Sequence, residues 1–541
     1  MISRIRKIDP FLLIITPVLL FLIFWNLGNQ YLWHDEVQTA VLSESVLEYG
    51  YPRALIGNFL VVTDETYGIG NSYVAQPWLQ NYLCALSFLA FGESNISARV
   101  LFALFGLFSF YLIYALGYRL FQNKLIARLS VVIAATCVPF LLHLRQSRYY
   151  SLTIFFTLLI LIVYFRFREK RRYSSLLFIM SSFLLFQANY GCFIPVLGSL
   201  FIHFFFIEKN RSLFKKFTTL YIWIFCLTLP WAFIYKIWEQ GGGFTFQALF
   251  HNAKFYLSKI NAYFFPYRVL IVILAGIFIF RRKLKFSLKD RDKRSLVFLS
   301  FVIILNWIFL WFADADMVRY LIHVVALFFI IEAFLLVKVL NWNKVIGVIL
   351  ILALCLTNLL NTSLFYVILK PVATPMLKVR DWASDKGIMS QEVGEKIGKE
   401  LGKISKKAEI KSYFFSFLYE ITHDYDGPIE GVVKYLKHNA KPDDTIKTGI
   451  FNRNHLFFYT DLNIDSDFTK EDYPEWIFVR SYWTSDAFYE TAYFKKIKEK
   501  YEKIDLNYPD IRWENRPGDM SFHYFKTAPL EKKITLYRRK G

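Results

Sequence analysis

The feature that most limits what this chain can fold into is the alternation, over its first 360 residues, of apolar runs with short basic blocks. Apolar spans read at Phe11 to Leu27, Ala98 to Leu120, Ile126 to Leu144, Ser151 to Phe167, Tyr173 to Ala188 and Cys192 to Ile207. They continue at Phe217 to Ile237, Tyr267 to Phe280, Ser295 to Phe312, Val318 to Val337 and Val345 to Leu360. Several are shorter than the ~20 residues that a perpendicular helix needs to cross a bilayer. Composition agrees: 55% of the chain is hydrophobic and 57 residues are Phe, against roughly 45–50% apolar in soluble domains. This is a polytopic α-helical membrane protein. Arg4, Arg6 and Lys7 before Phe11 resemble the start of a signal peptide, but the apolar run is too long and no small-residue cleavage site follows. The net charge of +21 would suggest a nucleic-acid partner in a soluble protein. Here the cations sit between apolar runs, where the positive-inside rule expects them, so nucleic acid is not a partner. The five cysteines, Cys84, Cys137, Cys192, Cys226 and Cys355, lie in apolar stretches without metal-ligand spacing.

Pro77 to Gly92 decides the topology. It is short, starts with proline and carries Gln80 and Asn81. If it does not cross, the blocks Arg119/Lys124/Arg128, Arg166 to Arg172, Lys209 to Lys216, Arg281 to Arg294 and Lys338/Lys344 share the side of the N-terminus, which is the cytoplasm. We therefore read it as an interfacial or re-entrant helix and expect about eleven crossings.

With that parity, polar clusters converge on the outer face. His34, Asp35 and Glu36 follow the first span, with Asp64 and Glu65 in the same loop, Gln76 before Pro77, and Arg99 at a helix start. His143, Arg145, Arg148, Tyr149 and Tyr150 form the next cluster, followed by Asn189 and Tyr190, then Arg319 and Tyr320. Adjacent carboxylates at a membrane edge are costly to place and mark a site hypothesis, with Asp35 the candidate base. The bland reading is a short amphipathic helix, since Asp35 and Gln38 have capping-box spacing and Gly50 follows. Arg145 and Arg148 flank a short outer loop, where cations are usually avoided. A carboxylate facing arginines at a bilayer surface suits a lipid-phosphate substrate, because a guanidinium fork binds phosphate oxygens and stays charged.

The stretches Trp33-His34-Asp35-Glu36, Gln76-Pro77-Trp78-Leu79, Ala98-Arg99-Val100-Leu101, Gln146-Ser147-Arg148-Tyr149-Tyr150 and Val318-Arg319-Tyr320-Leu321 together resemble the GT-C membrane glycosyltransferases. The likeness is to the protein O-mannosyltransferases and lipid A aminoarabinose transferases, and it covers roughly the first 340 residues. It implies inverting transfer of a hexosyl or pentosyl group from a polyprenyl-phosphate donor to a hydroxyl on a glycan, lipid or protein. Asp35 would be the base and Glu36 would orient the acceptor or the base. Arg148, with Arg145 or Arg319, would hold the phosphate. No metal or other cofactor is expected, although Asp35/Glu36 with Asp64/Glu65 offer a hard-cation alternative. Ala75-Gln76 and Tyr149-Tyr150 stand where aminoarabinose transferases carry charged residues, which leaves donor sugar and acceptor open.

Residues 1–369 thus read as the membrane domain, with an outer loop over 28–97 that carries interfacial helices, and 370–541 as an extracytoplasmic α/β domain. In the latter, Glu392 to Lys411, Ile429 to His438 and Phe488 to Lys503 read as helices. Thr445 to Phe451, Leu456 to Tyr459, Trp476 to Arg480 and Lys533 to Tyr537 read as strands. No nucleotide-binding glycine motif is present, in agreement with a lipid-borne donor. The expected location is a bacterial inner membrane with the N-terminus in the cytoplasm. A glycan ligase or oligosaccharyltransferase of the same fold is the nearest alternative, and a lipid or glycan transporter the one from another class. A transporter's signature would be internal repeats or midplane charges, and neither is evident.

Overall fold

The computed structural model describes residues 9–61, 67–208, 211–239, 246–271, 289–312, 317–362, 408–424, 426–480, 486–511 and 532–540, with short stretches between 370 and 402 and residue 484. They form two compact units. One joins Met1–Leu112, Pro139–Gly243 and Leu418–Gly541; the other joins Ile113–Val138 and Phe244–Phe417. Among the described residues six helices are long and apolar enough to cross a membrane, or seven if Lys124–Thr136 and Val138–Leu144 count together as one broken span. Pro10–Phe24, Ser174–Ala188 and Lys344–Leu356 are shorter apolar helices at three further expected spans. The span expected at Tyr267 to Phe280 lies largely outside the described residues. Leu79–Phe91 is a helix of 13 residues, about 20 Å long at the α-helical rise, too short for a hydrocarbon core of about 30 Å.

Local chemistry sets the helix ends. Asp9 accepts from the Phe11 N–H (3.1 Å) ahead of Pro10, and Asn123, Asn189 and Asn343 cap the next helices through their side-chain oxygens. In the second unit, Ile322–Trp342 packs on Lys124–Thr136, Asp290–Leu310 and Lys344–Leu356. Phe334 stacks on Phe121 at 4.8 Å.

In the first unit the outer loop builds a helix over His34–Tyr49, ended by Gly50 at φ +81°, where a left-handed residue closes the last turn. The capping box starts two residues before the position that the Asp35/Gln38 spacing suggests: Glu36 folds back to accept from the Trp33 N–H (3.2 Å).

Among the described residues the C-terminal sheet has five strands in the order Asn463–Asp465, Thr445–Thr448, Trp476–Phe478, Lys533–Arg539, Tyr501–Pro509. The first three are parallel, and the last two join antiparallel. Pro428–Asn439 covers one face through Val432, Val433 and Leu436, and Ala492–Lys500 covers the other through Phe494 and Ile497. Two expectations are corrected here. Leu456 to Tyr459 belongs to a helix, Ile450–Tyr459. Its four apolar residues diverge: Leu456 enters the domain core, Phe457 stacks on Phe59 (4.1 Å), Phe458 on Phe88 (6.2 Å) and Tyr459 on Tyr31 (4.1 Å). Only a helix presents apolar side chains in so many directions; a strand has two faces. The helix expected over Phe488 to Lys503 breaks into Asp486–Glu490 and Ala492–Lys500, and the strand takes over at Tyr501. Over the helix expected at Glu392 to Lys411, residues 393, 395–399 and 401–402 are helical, residues 408–411 are not, and the rest lie outside the described residues.

Through Ile450–Tyr459 the C-terminal domain grips the start of the outer-loop helix. The Leu32 N–H donates to the Tyr459 hydroxyl (2.9 Å), which donates to Asn95 Oδ1 (2.6 Å), and His455 Nε2 donates to the Leu32 carbonyl (3.0 Å).

Candidate functional site

Glu36 is fully buried, and four hydrogen bonds converge on its carboxylate. Arg99 donates from Nε to Oε1 (2.8 Å) and from Nη2 to Oε2 (2.7 Å), the Ser147 N–H donates to Oε1 (2.9 Å), and the Trp33 N–H donates to Oε2. Arg99 spends its other donors on backbone: Nη1 on the Leu27 (2.9 Å) and Gln30 (2.8 Å) carbonyls, Nη2 on the Tyr31 carbonyl (3.1 Å). All five guanidinium N–H groups are engaged. Three chain segments, 27–36, 99 and 147, are held at one point.

That clamp sets the residue beside it. Successive helical side chains point about 100° apart, so burying Glu36 turns Asp35 aside to a part-exposed position (14%) 3.9 Å from Arg148 Nη2. Arg148 is buried. Its Nη1 donates to the Asp35 carbonyl (3.2 Å) and to Thr39 Oγ1 (3.0 Å), and its Nε–H has no hydrogen-bond partner among the described residues. The Trp33 indole donates to Gln146 Oε1 (3.0 Å), and the Tyr149 N–H donates to Gln80 Oε1 (3.1 Å). Gln80 in turn donates to Gln76 Oε1 (3.0 Å).

His34 Nδ1 donates to the Phe451 carbonyl (3.2 Å), and its ring lies 6.4 Å from His455. Burial lowers the pKa of His34, with Asp35 opposing. Burial, reinforced by His34, takes His455 down to about 3. Both imidazoles are neutral at pH 7.

The remaining expected residues divide. Arg145 is spent on the end of the first helix: its Nη atoms donate to the carbonyls of Leu22 (3.0 Å), Ile23 (2.9 Å), Trp25 (2.8 Å) and Asn26 (3.3 Å). It is a C-cap for that helix, and burial lowers its pKa to about 10. His143 bonds the Pro139 carbonyl (2.6 Å) within its own helix and meets Tyr150 edge-on at 4.9 Å; both are core residues. Tyr149 packs on Tyr150 at 4.7 Å and lies 5.8 Å from the Arg148 guanidinium. Asn189 accepts from the Cys192 N–H (3.1 Å) as a helix cap, and Tyr190 lies beside Phe186 at 6.5 Å. Arg319 and Tyr320 belong to the second unit, where the guanidinium lies 5.7 Å from the Tyr320 ring. Asp64 and Glu65 lie outside the described residues. Among the described residues no group of three or more His, Cys, Asp or Glu side chains is placed to hold a metal ion.

Residues 75–235 match the family model described as dolichyl-phosphate-mannose-protein mannosyltransferase. An uncharacterized protein of Aquifex aeolicus (strain VF5) is 25% identical over 304 residues, 54% of this chain and 58% of that protein's length. Two solved structures of ArnT from Cupriavidus metallidurans are similar over 98% of both chains. They are the apo form (TM-score 0.56, 12% identity) and the form bound to undecaprenyl phosphate (TM-score 0.53, 13% identity). The chain has the GT-C fold. It is an integral membrane protein.

Within this GT-C chain the structure adds Thr39, Gln80 and His455, which the sequence reading leaves out of the site. Gln80 carries a signal, a polar side chain in an apolar helix. His455 carries none, because it lies more than four hundred residues from its partner Leu32.

Arg99→Leu leaves Glu36 buried without its counter-ion. Such a loss costs about 3–5 kcal/mol, and thermal unfolding should show it as a large fall in Tm. The neutral histidines add a pH dependence. Because both native pKa values lie below the unfolded value of about 6.5, the unfolded state binds more protons as pH falls, so stability is complete above pH 6.5 and is lost below it. For His455 the loss runs at up to about 1.4 kcal/mol per pH unit. Tm measured between pH 7.5 and 5 should fall, and His455→Asn should flatten that fall.

Proposed function

We propose that this protein is a membrane glycosyltransferase that moves a single hexosyl or pentosyl group from a polyprenyl-phosphate donor to an acceptor hydroxyl at the outer face of a bacterial inner membrane. The observation that carries this reading is the pairing of a part-exposed carboxylate with a buried arginine whose hydrogen bonds are incomplete among the described residues. Arg99 and Arg145 are spent on Glu36 and on backbone carbonyls, while Arg148 keeps its Nε–H uncommitted beside Asp35. The fold supports the reading, as does the undecaprenyl phosphate bound by the similar ArnT.

Asp35 takes the acceptor hydroxyl proton. The acceptor oxygen attacks the anomeric carbon, and the bond from that carbon to the phosphate oxygen breaks with its electron pair, releasing polyprenyl phosphate with inversion. Arg148 donates to the departing phosphate, placed for this by Thr39 and the Asp35 carbonyl. Its charge acts where negative charge develops, in a water-poor site. Glu36 orients Asp35 and touches no substrate. His34 and the helix Ile450–Tyr459 hold the start of the Asp35 helix, which gives the C-terminal domain a positioning role. The basic blocks set the N-terminus in the cytoplasm and the C-terminal domain outside.

The purified protein should release sugar from a matched lipid-linked monosaccharide in the presence of cell-envelope extract. Asp35→Asn should lower kcat by about 10²–10⁴-fold with Tm unchanged. Arg148→Lys, which keeps the charge and loses the fork, should lower kcat more than it raises KM. Unchanged turnover in Asp35→Asn would remove Asp35 from the reaction.

A further inference from the structure

The C-terminal domain does more at the start of the outer-loop helix than hold it, because one residue it holds there is a histidine. A carbonyl oxygen only accepts, so the bond from His34 Nδ1 to the Phe451 carbonyl (3.2 Å) keeps the proton on Nδ1 and leaves Nε2 with a lone pair. The imidazole is half-buried, its ring 5.4 Å from that of Phe451, and Nε2 makes no hydrogen bond among the described residues. Its charged and titratable neighbours are Asp35 on the same helix, Arg148, and Arg453 and His455 on the helix Ile450–Tyr459. Asp35 favours a charged ring; burial, Arg148 and Arg453 oppose it, and burial is the largest effect. The ring therefore stays neutral beside Asp35, and Nε2 is a pure hydrogen-bond acceptor.

His34 and Asp35 are consecutive residues in the first turn of one helix, and each offers a substrate only lone pairs. Asp35 takes the proton of the reacting hydroxyl, and His34 calls for a second donor next to it. An ionised phosphate has no proton to give to either group. The backbone N–H beside a Ser or Thr hydroxyl is a donor, but the amide plane fixes its direction. A hydroxyl turns its O–H bond to suit its partner, so two hydroxyls on adjacent carbons can meet both groups independently. We infer that His34 is a specificity residue of the transfer: its Nε2 accepts from a hydroxyl next to the one that Asp35 deprotonates, and the acceptor is a vicinal diol such as a sugar ring carries. The second hydroxyl keeps its proton throughout and only aligns the first. Through the Phe451 carbonyl, the C-terminal domain sets the tautomer that this contact needs. The inference rests on the transferase reading above.

Transfer from a lipid-linked monosaccharide to cell-envelope extract tests it, with the purified full-length protein in detergent. Periodate cleaves vicinal diols, so extract treated with it and then quenched should lose its acceptor activity. The product linkage should survive both the mild acid that cleaves a glycosyl phosphate and the alkali that eliminates a sugar from Ser or Thr. His34→Asn keeps an amide N–H where Nδ1 stood and loses the acceptor at Nε2. It should raise KM for the extract roughly three- to tenfold, one hydrogen bond's worth, with a smaller change in kcat and with affinity for undecaprenyl phosphate held within about twofold. His34→Gln, whose amide oxygen extends toward the Nε2 position, should recover part of that loss. An acceptor that survives periodate, a product labile to either reagent, or a wild-type KM in His34→Asn would each overturn the inference and leave the transferase reading standing. If His34→Asn does not fold, the periodate and linkage readouts decide the inference on the wild-type protein. No transfer from any lipid-linked monosaccharide would overturn both.

Discussion

The arrangement around Asp35 and Arg148 depends on one buried ion pair. The Glu36 carboxylate and the Arg99 guanidinium satisfy each other through two hydrogen bonds and spend the rest of their capacity on the backbone at Leu27, Gln30, Tyr31, Trp33 and Ser147. A buried pair of this kind is not a large source of stability, since desolvation offsets most of the attraction. What it supplies is position. Removing either partner strands a charge, so alternative arrangements of the three segments are excluded by several kcal/mol. Asp35, the residue before Glu36, and Arg148, the residue after Ser147, inherit that order without being consumed by it.

The same bookkeeping of donors separates arginines that look alike in sequence. Arg99 has every N–H engaged. Arg145 closes four carbonyls at the end of the first helix, where the dipole favours a cation. Arg148 alone of the three is buried next to a carboxylate at 3.9 Å with a donor left over. A phosphate needs donors that are not already spent.

Much of this was legible in the chain itself. Hydropathy and basic blocks mark the membrane helices, because a helix in lipid must be apolar all round and cations resist translocation. The stretches at 33–36, 99 and 146–150 are the ones the structure brings together. Which member of each pair does what was expected from the resemblance and not from the residue types. Asp35 and Glu36 are chemically equivalent in sequence, and only the direction of helix rotation decides which one is buried. The C-terminal domain was read less well. Leu456 to Tyr459 has strand composition, yet it packs against partners on several sides, including Phe59, Phe88 and Tyr31, that lie hundreds of residues away. The strand Tyr501–Pro509 had left a signal, the alternation of Ile504, Leu506 and Tyr508 with Asp505 and Asn507, hidden by the lysine-rich helix before it.

The most direct test of the account is the anomeric configuration of the product, determined by NMR after transfer from a lipid-linked donor of defined configuration. If Asp35 deprotonates an acceptor that displaces polyprenyl phosphate in a single step, the product carries the opposite configuration to the donor. Retention would require a covalent sugar on a side-chain nucleophile, and would contradict the role assigned to Asp35.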